Sequence, residues 1–444
     1  MQFSIIIPTL NESERIGQQV QRVRALCPAG EVIVADGGSE DDTRKRAREA
    51  GAVVALAPRG RGTQCNAGAA LAQGDVLLFL HADTLLPPDA FETIEAAFQN
   101  PDILVGTFHL QMDVQHWLLD VYIGLSRMDT MFTRFGDQVI TVRRSFFESL
   151  GGFPDWPLFE DVAFLRRARR HTRIHLFPTA IVTSARRFVR NGVTRQALID
   201  VLYLLAYALG ASPHRLAQSY ERRRPPAKEM ALLFFARAPR PGRVKTRLAA
   251  TLGETFATQF YDRCARQVLR ESKRVGRAAN RYLFCADPED LPALRRWAGR
   301  PFLYAAQVEG DLGQRLSAAL ALAFSHGAKK AMVLATDAPD LRAHHMIEAA
   351  QALDAHDLAI GPSMDGGYYL LAMKRLYPQL FIDMPWSTSQ VLSETLSRAR
   401  ALGLSVHHLP TLWDVDTEQD LRRWWNQRPP DTSRGLKRLI ASLA

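Results

Sequence analysis

The feature that most constrains this chain is a short apolar run followed by a helical stretch, repeated several times over. "SIIIP" (4–8), "EVIVADGG" (31–38), "VVAL" (53–56) and "DVLLFLHAD" (75–83) are the runs. Between the first two, Ile16, Val20, Val23 and Leu26 recur at helical spacing. Asn11, with Glu14 three residues on, is expected to cap that helix. "DDTRKRAREA" (41–50) puts acids in its first turn and bases later, as a helix dipole favours. A further helix is expected near 64–72. Continuous apolar runs suit strands buried on both faces, so the order βαβαβαβ predicts a mostly parallel sheet covered by helices. Ligands in such sheets lie beyond the carboxyl ends of the strands. Asp36, His81 and Asp83 occupy such ends.

The second half repeats the design. A basic, Pro-rich stretch, "YERRRPPAKE", has no apolar period and reads as a linker over 221–229. "MALLFFA" (230–236) then starts a new buried strand, and "AMVLATDAPDL" (331–341) is another that ends in an acid. A length of 444 residues is long for one core and fits two domains of roughly 220 residues each, here 1–220 and 230–444.

Composition excludes several classes. Apolar content of 47% and charged content of 23% are those of an ordinary globular chain. "MQFSIIIPTLNE" lacks a basic start and a cleavage pattern, so no signal peptide is expected. No apolar run reaches the ~18–20 residues that span a bilayer. Cys27, Cys65, Cys264 and Cys285 are scattered, which argues against a disulfide framework or a zinc site and suits a cytoplasmic protein. The net charge is +10, and about a dozen Arg between 166 and 224 face only Asp200 and Glu221. Phosphate-rich ligands or an anionic membrane surface are the natural partners, beside a merely solvated basic face. No RNA- or DNA-binding motif accompanies these Arg residues, so nucleic acid is not expected. "ALIDVLYLLAYALGAS" (197–212) is too short to span a bilayer but has a wide apolar face. It reads as a core or interdomain helix, or as an interfacial helix at the inner face of the membrane.

The candidate chemistry of the first half is that of phosphate and metal. Asp83 at a strand tip suits a turn or cap, or a divalent cation that neutralises a diphosphate leaving group. Asp36 is followed by "GGSEDD", where small residues admit a ligand to the backbone. "APRGRGTQCNAGAAL" (57–71) is a basic, Gly-rich loop opening a helix, and Arg59, Arg61 and the helix start suit a pyrophosphate. Glu160 and Asp161 sit at a predicted helix start, either as dipole partners or as a carboxylate pair supplying a general base.

"SIIIPTLNE", "ADGGSEDDT", "RGRGTQCNAGA", "HADT" and "GGFP…FEDVAFLRR" are similar, in order and spacing, to family-2 glycosyltransferases of the GT-A fold. The likeness covers roughly 1–220 and looks closest to the rSAM/selenodomain-associated, arsenosugar glycosyltransferase-like subgroup. It implies that Pro8, Thr9, Glu12, Asp36 and Arg61 surround the nucleotide, that Asp83 binds the metal, and that Asp161 deprotonates the acceptor. Inversion at the sugar carbon follows. The family carries Asp-x-Asp where this chain has His81-Ala82-Asp83; imidazole also binds manganese or contacts phosphate.

In the second half, "ARAPRPGRVKTRL" (236–248) packs Arg237, Arg240, Arg243, Lys245 and Arg247 around Pro and Gly242. Walker spacing is absent. Asp337, Asp414 and Asp416 are expected to converge on one or two metal ions, and "DGGYY" offers an acid, a turn at Gly366 and Gly367, and an aromatic platform. "FARAPRPGRVKTRLA", "GDLGQRL", "ATDAPDL", "GPSMDGGYYL", "WST" and "DVDT" resemble the rSAM/selenodomain-associated transferase 1 family, itself similar in arrangement to nucleotidyltransferases. That likeness implies Lys245 at the phosphates, Asp337 and Asp416 on magnesium, and Arg237, Gly242, Arg247, Gly366 and Gly367 at the nucleotide. The Gly-Gly start of those enzymes is replaced here by "ARAPRPG".

The expected whole is α/β: two tandem GT-A-like, Rossmann-like domains. The second would form a nucleotide-sugar from an NTP and a sugar phosphate. The first would transfer that sugar to a small-molecule or lipid acceptor, with Mg2+ or Mn2+ as cofactor. Two alternatives remain open: both halves transfer sugars in sequence, or one half is a non-catalytic binding module.

Overall fold

The computed structural model describes residues 1–130, 136–222, 228–276, 278–430 and 432–443. It divides into two compact units. The first comprises Met1–Asp113, Trp117–Ala185 and Val193–Pro225, and the second Val114–His116, Arg186–Gly192 and Pro226–Ala444. Of the linker expected over 221–229, residues 223–227 lie outside the described residues.

The first unit is built on β1 (Phe3–Thr9), β2 (Glu31–Asp36), β3 (Val53–Leu56), β4 (Val76–Phe79), β5 (Thr84–Leu85), β6 (Val105–Met112), β7 (Ile140–Arg143) and β8 (His175–Thr183). They form one sheet in the order β3-β2-β1-β4-β7-β6-β8-β5. β1 pairs in parallel with β2 and β4, and β2 with β3. β7 runs antiparallel to β4. Ile5, Ile6 and Ile7 are all fully buried, because helices cover both faces of this sheet. Each such side chain contributes about 1.5–3 kcal/mol of transfer free energy.

The second unit holds β9 (Met230–Ala236), β10 (Ala279–Cys285), β11 (Leu303–Ala306), β12 (Lys330–Leu334), β13 (Leu358–Pro362), β14 (Tyr368–Met373) and β15 (Val406–His408). Their order is β11-β10-β9-β12-β14-β13-β15. β9 is parallel to β10 and β12, and β14 is antiparallel to β12. The first five positions of each sheet therefore carry the same topology: four parallel strands in the sequence order third, second, first, fourth, then an antiparallel strand. The chain is mixed α/β with two mostly parallel sheets.

Three local expectations are corrected. The run 75–83 is strand only to Phe79, so His81 and Asp83 lie in the turn beyond it. Asn11 does not cap the first helix, Ser13–Leu26. Its backbone is left-handed at φ 54°, and its side-chain oxygen instead accepts from the Glu40 amide at 2.9 Å. The helix Val193–Ala208 keeps its apolar stripe outside rather than in a core: Leu198, Val201, Leu202 and Leu205 are exposed, while Gln196 and Tyr203 are buried.

Candidate active sites at the carboxyl ends of two sheets

In the first unit, parallel pairing places Thr9 opposite Asp36 at the ends of β1 and β2. Asp36 is fully buried; its Oδ2 accepts from the amides of Gly38 (3.1 Å) and Ser39 (3.0 Å), and Arg44 Nε lies 3.8 Å away. Its Oδ1, and the hydroxyl of the adjoining Thr9, are buried with no hydrogen-bond partner. Buried polar atoms without partners are uncommon, and two at one strand end suit a ligand that donates and accepts. Pro8 precedes Thr9 in the same strand. Glu12 stands at the start of the first helix, its amide donating to Thr43 Oγ1 at 2.8 Å.

Gln64 ties these pieces together. From the helix Arg61–Leu71 its Nε2 donates to the Thr9 carbonyl (2.7 Å) and the Ala35 carbonyl (2.9 Å). Sequence reasoning passed over Gln64, since a buried Gln in a helix leaves no periodic signal. Arg61 opens the same helix, with its Nη1 3.6 Å from Glu160 Oε1. Gly62 lets that helix start sit against the loop before Glu160: a Cβ there would lie 2.5 Å from the Pro154 carbonyl oxygen.

Glu160 and Asp161 begin the helix Glu160–Ala168. Phe164, packed on Phe147 and Phe153 at centroid distances of 5.4 and 4.8 Å, anchors its inner face. The Glu160 carboxyl is pushed up to about 7, first by burial, with Asp161 adding to the shift and Arg61 opposing it. Asp161 accepts from the Gly136 amide at 2.6 Å and the Val162 amide at 2.7 Å. Because β7 is antiparallel to β4, with Ile140 opposite Phe79, Gly136 approaches the end of the sheet where the His81–Asp83 turn begins. That turn is clamped by Gln19, whose Nε2 donates to the Thr84 carbonyl at 2.7 Å. Among the described residues, no third His, Cys, Asp or Glu joins His81 and Asp83 within ligating distance. One carboxylate and one imidazole still suit a divalent ion that keeps waters and takes oxygens from a diphosphate.

The second unit gathers its charges more tightly. Lys245, at the N-cap of the helix Thr246–Leu252, has a left-handed backbone at φ 47°. Its Nζ lies 2.8 Å from Asp337, 3.3 Å from Asp414 and 2.5 Å from Asp416, and the side chain is only 4% exposed. Asp337 follows β12. Asp414 and Asp416 flank the fully buried Val415, and an extended chain turns alternate side chains to one side. Thr417 then caps the helix Glu418–Gln427, accepting from the Asp420 amide. Burial alone would lower the Lys245 pKa, but the three carboxylates more than reverse this and hold it well above the ordinary value. The Asp414 carboxyl is pushed up to about 7 by burial first, then by Asp337.

Ligating oxygens of Asp337, Asp414 and Asp416 lie within 4.8 Å of one another, and the Lys245 ammonium stands among them as a cation already does in such a cage. The donor set fits a hard divalent ion. Beside it is a cavity of about 360 Å³, lined by Arg237, Lys245, Arg247, Asp337 and Asp416, and also by Arg315 and Gln307. Arg315 lies within the motif "GDLGQRL" but was not singled out as a site residue, and Gln307 left no signal, because a Gln after a strand is common on surfaces. Gly242 (φ 74°) and Gly366 (φ 88°) shape turns, and neither they nor Gly367 line this cavity. A Cβ on Gly366 would meet the Ser389 backbone at 2.2 Å, so close packing accounts for that glycine.

Comparison with known proteins places each unit. Residues 4–140 match the model of glycosyl transferase family 2, and residues 271–388 match that of an uncharacterized protein conserved in bacteria, DUF2064. An undecaprenyl-phosphate 4-deoxy-4-formamido-L-arabinose transferase from Pectobacterium atrosepticum is 28% identical over 220 residues, 45% of this chain and 59% of that protein's length. A crystal structure from Desulfovibrio desulfuricans G20, provisionally assigned as a nucleotide-diphospho-sugar transferase, is 31% identical, with a TM-score of 0.46 over 48% of this chain and 94% of that one. Glucosyl-3-phosphoglycerate synthase from Mycobacterium tuberculosis, solved with Mn2+, UDP and glucosyl-3-phosphoglycerate, is 18% identical over 48% of this chain and 81% of that one, with a TM-score of 0.36. Among the described residues no helix is long and apolar enough to cross a membrane. The chain carries a glycosyl transferase family 2 domain at residues 4–140 and a DUF2064 domain at residues 271–388.

Proposed function

We propose that the first unit is an inverting glycosyltransferase that moves a sugar from a nucleoside-diphosphate donor to an acceptor hydroxyl or phosphate. The observation that carries this reading is the pair of unpartnered polar atoms, Asp36 Oδ1 and Thr9 Oγ1, at the end of β1 and β2 in a family 2 domain. They offer the donor's base its hydrogen bonds, with Pro8 and Glu12 alongside. Arg61 meets the diphosphate. Asp161, fixed by two backbone amides, takes the acceptor's proton as the acceptor oxygen bonds to the anomeric carbon and the bond from that carbon to the diphosphate oxygen breaks. Asp83, with His81 beside it, would hold a divalent ion, which would neutralise charge on the diphosphate as it leaves.

The second unit is read as the supplier of the donor, joining an NTP to a sugar phosphate with release of pyrophosphate. Its support is the Lys245 and tri-aspartate cage next to an Arg-lined cavity. Lys245, Arg237 and Arg247 would hold the phosphates, and Asp337, Asp414 and Asp416 would hold Mg2+ or Mn2+. The shared strand order of the two sheets favours a second reading, in which both units transfer sugars in turn.

The test uses the full chain with each NTP and a panel of sugar 1-phosphates, following pyrophosphate. Release that disappears in Asp337→Ala supports the donor-forming role. Absence of release with every NTP, together with hydrolysis of a nucleotide-sugar that Asp337→Ala abolishes, favours the second reading. Failure of Mn2+-supported UDP or GDP to bind the first unit rejects the transferase role there.

A further inference from the structure

The helix Val193–Ala208 has two faces of opposite character. Gln196 donates to Tyr220 Oη at 2.7 Å, Tyr203 donates to Ser219 Oγ at 2.9 Å, and Tyr203 packs edge-on against Tyr220 at 5.3 Å. Tyr207 stacks on Phe159 at 4.7 Å and 22°, and Trp156 meets Tyr207 edge-on at 6.3 Å. At about 3.6 residues per turn, positions 196, 203 and 207 share one side. Leu198, Val201, Leu202, Leu205 and the following Leu209 fall on the other, and all are exposed, Leu209 by 88%. The adjoining helix Trp117–Leu125 adds exposed Val121 and Leu125, with Met128 just beyond.

This ridge is bordered by cations. Arg195 precedes it, Arg215 follows it and Arg127 adjoins Met128, all exposed, while the exposed Asp129 on the other side of Met128 is paired with Arg169 at 3.0 Å. Asp200, the one acid of the helix, is engaged by Gln196 Nε2 at 2.7 Å. A leucine ridge rimmed by arginines complements an anionic lipid surface, whereas two copies meeting through it would bring like charges together. The inner face bears directly on the candidate site, because Phe159 immediately precedes Glu160 and Asp161. Burial pushes the Tyr207 phenol up; Arg166 opposes this and Asp161 adds to it, so the phenol and the proposed base lie within electrostatic reach of each other.

We propose that this outer face docks on an anionic bilayer and that the acceptor reaching Asp161 is carried in the membrane. The docking stands on the exposed face; the acceptor's role rests on the transferase reading of the first unit. Co-sedimentation of the full chain with phosphatidylcholine vesicles, with and without one third phosphatidylglycerol, tests it. Binding to the anionic vesicles is expected, weakened at least about tenfold in the Leu202→Asp/Leu205→Asp variant and about fivefold in each of Arg195→Gln and Arg215→Gln. Hydrogen exchange of the unaltered chain should show slower exchange at 193–209 on adding anionic vesicles, a readout independent of how the variants fold. No vesicle binding, or equal binding by the folded double variant, overturns the proposal. So does a dimer that the double variant turns into monomer without vesicle binding. Nucleotide binding without vesicles reports separately on the transferase reading.

Discussion

The two sheets begin alike and end in different electrostatics. In the first unit the acids at the carboxyl edge are spread out, and the cation nearest the buried Glu160 is a half-exposed Arg61 at 3.6 Å. In the second, one buried ammonium is enclosed by three carboxylates at 2.5 to 3.3 Å. The same strand order thus supports one edge whose acids are held by separate partners and another whose three acids crowd round a single ammonium that offsets part of their charge. Strand order places functional side chains at one edge; it does not decide their charge state, which burial and the nearest counter-charge set.

The largest expected effect separates chemistry from binding at the first unit's edge. Asp161→Asn should lower sugar transfer by about 10²–10⁴-fold, while nucleotide affinity measured by calorimetry stays within about twofold. Equal loss of both would give Asp161 a different role.

Next, Lys245→Met leaves three carboxylates facing one another. Removing one partner of a buried ion pair costs about 3–5 kcal/mol, and the partial exposure of Asp337 and Asp416 favours the lower end. The second unit should melt earlier in a thermal scan, with Mn2+ restoring part of the loss. An unchanged melting profile would mean that Lys245 does not stabilise the carboxylate cluster.

The comparison was partly legible in the sequence. "DVDT" announced two carboxylates on one side of an extended chain, and "HADT" announced a strand tip, because period-two alternation and strand-ending turns leave marks in residue type. Gln64 and Arg315 lie in quoted motifs but their roles were not legible, since these come from what the fold brings opposite them. Asn11 failed as a cap because its side chain had a better partner in the Glu40 amide. The stripe at 198, 202, 205 and 209 was legible as a periodicity but not as a direction. Gln196 and Tyr203 took the inner side with a hydrogen bond each, and Tyr207 with its stack on Phe159.

A smaller effect is read in the pH dependence of the first unit, since Asp414 gives the second unit a raised carboxyl of its own. The Glu160 carboxyl has a folded-state pKa near 7 against an ordinary 4.5, so between these values the folded state holds the extra proton. Stability should therefore fall as pH rises from about 5 to 8, by on the order of 1–3 kcal/mol, and Glu160→Gln should flatten that slope in urea denaturation. Asp414 keeps a slope of the same sign in the second unit, so a first-unit transition whose slope survives the substitution would place its origin elsewhere. The smallest effect is structural: Thr417→Ala removes the cap behind Asp416 and should cost about 1 kcal/mol, seen as a lower unfolding midpoint of the second unit.

The most direct test counts metal sites. With saturating nucleotide, Mn2+ binding followed by electron paramagnetic resonance should reveal two classes per chain, one abolished by Asp83→Ala and the other by Asp337→Ala. Wild-type stoichiometry in both variants would contradict the account.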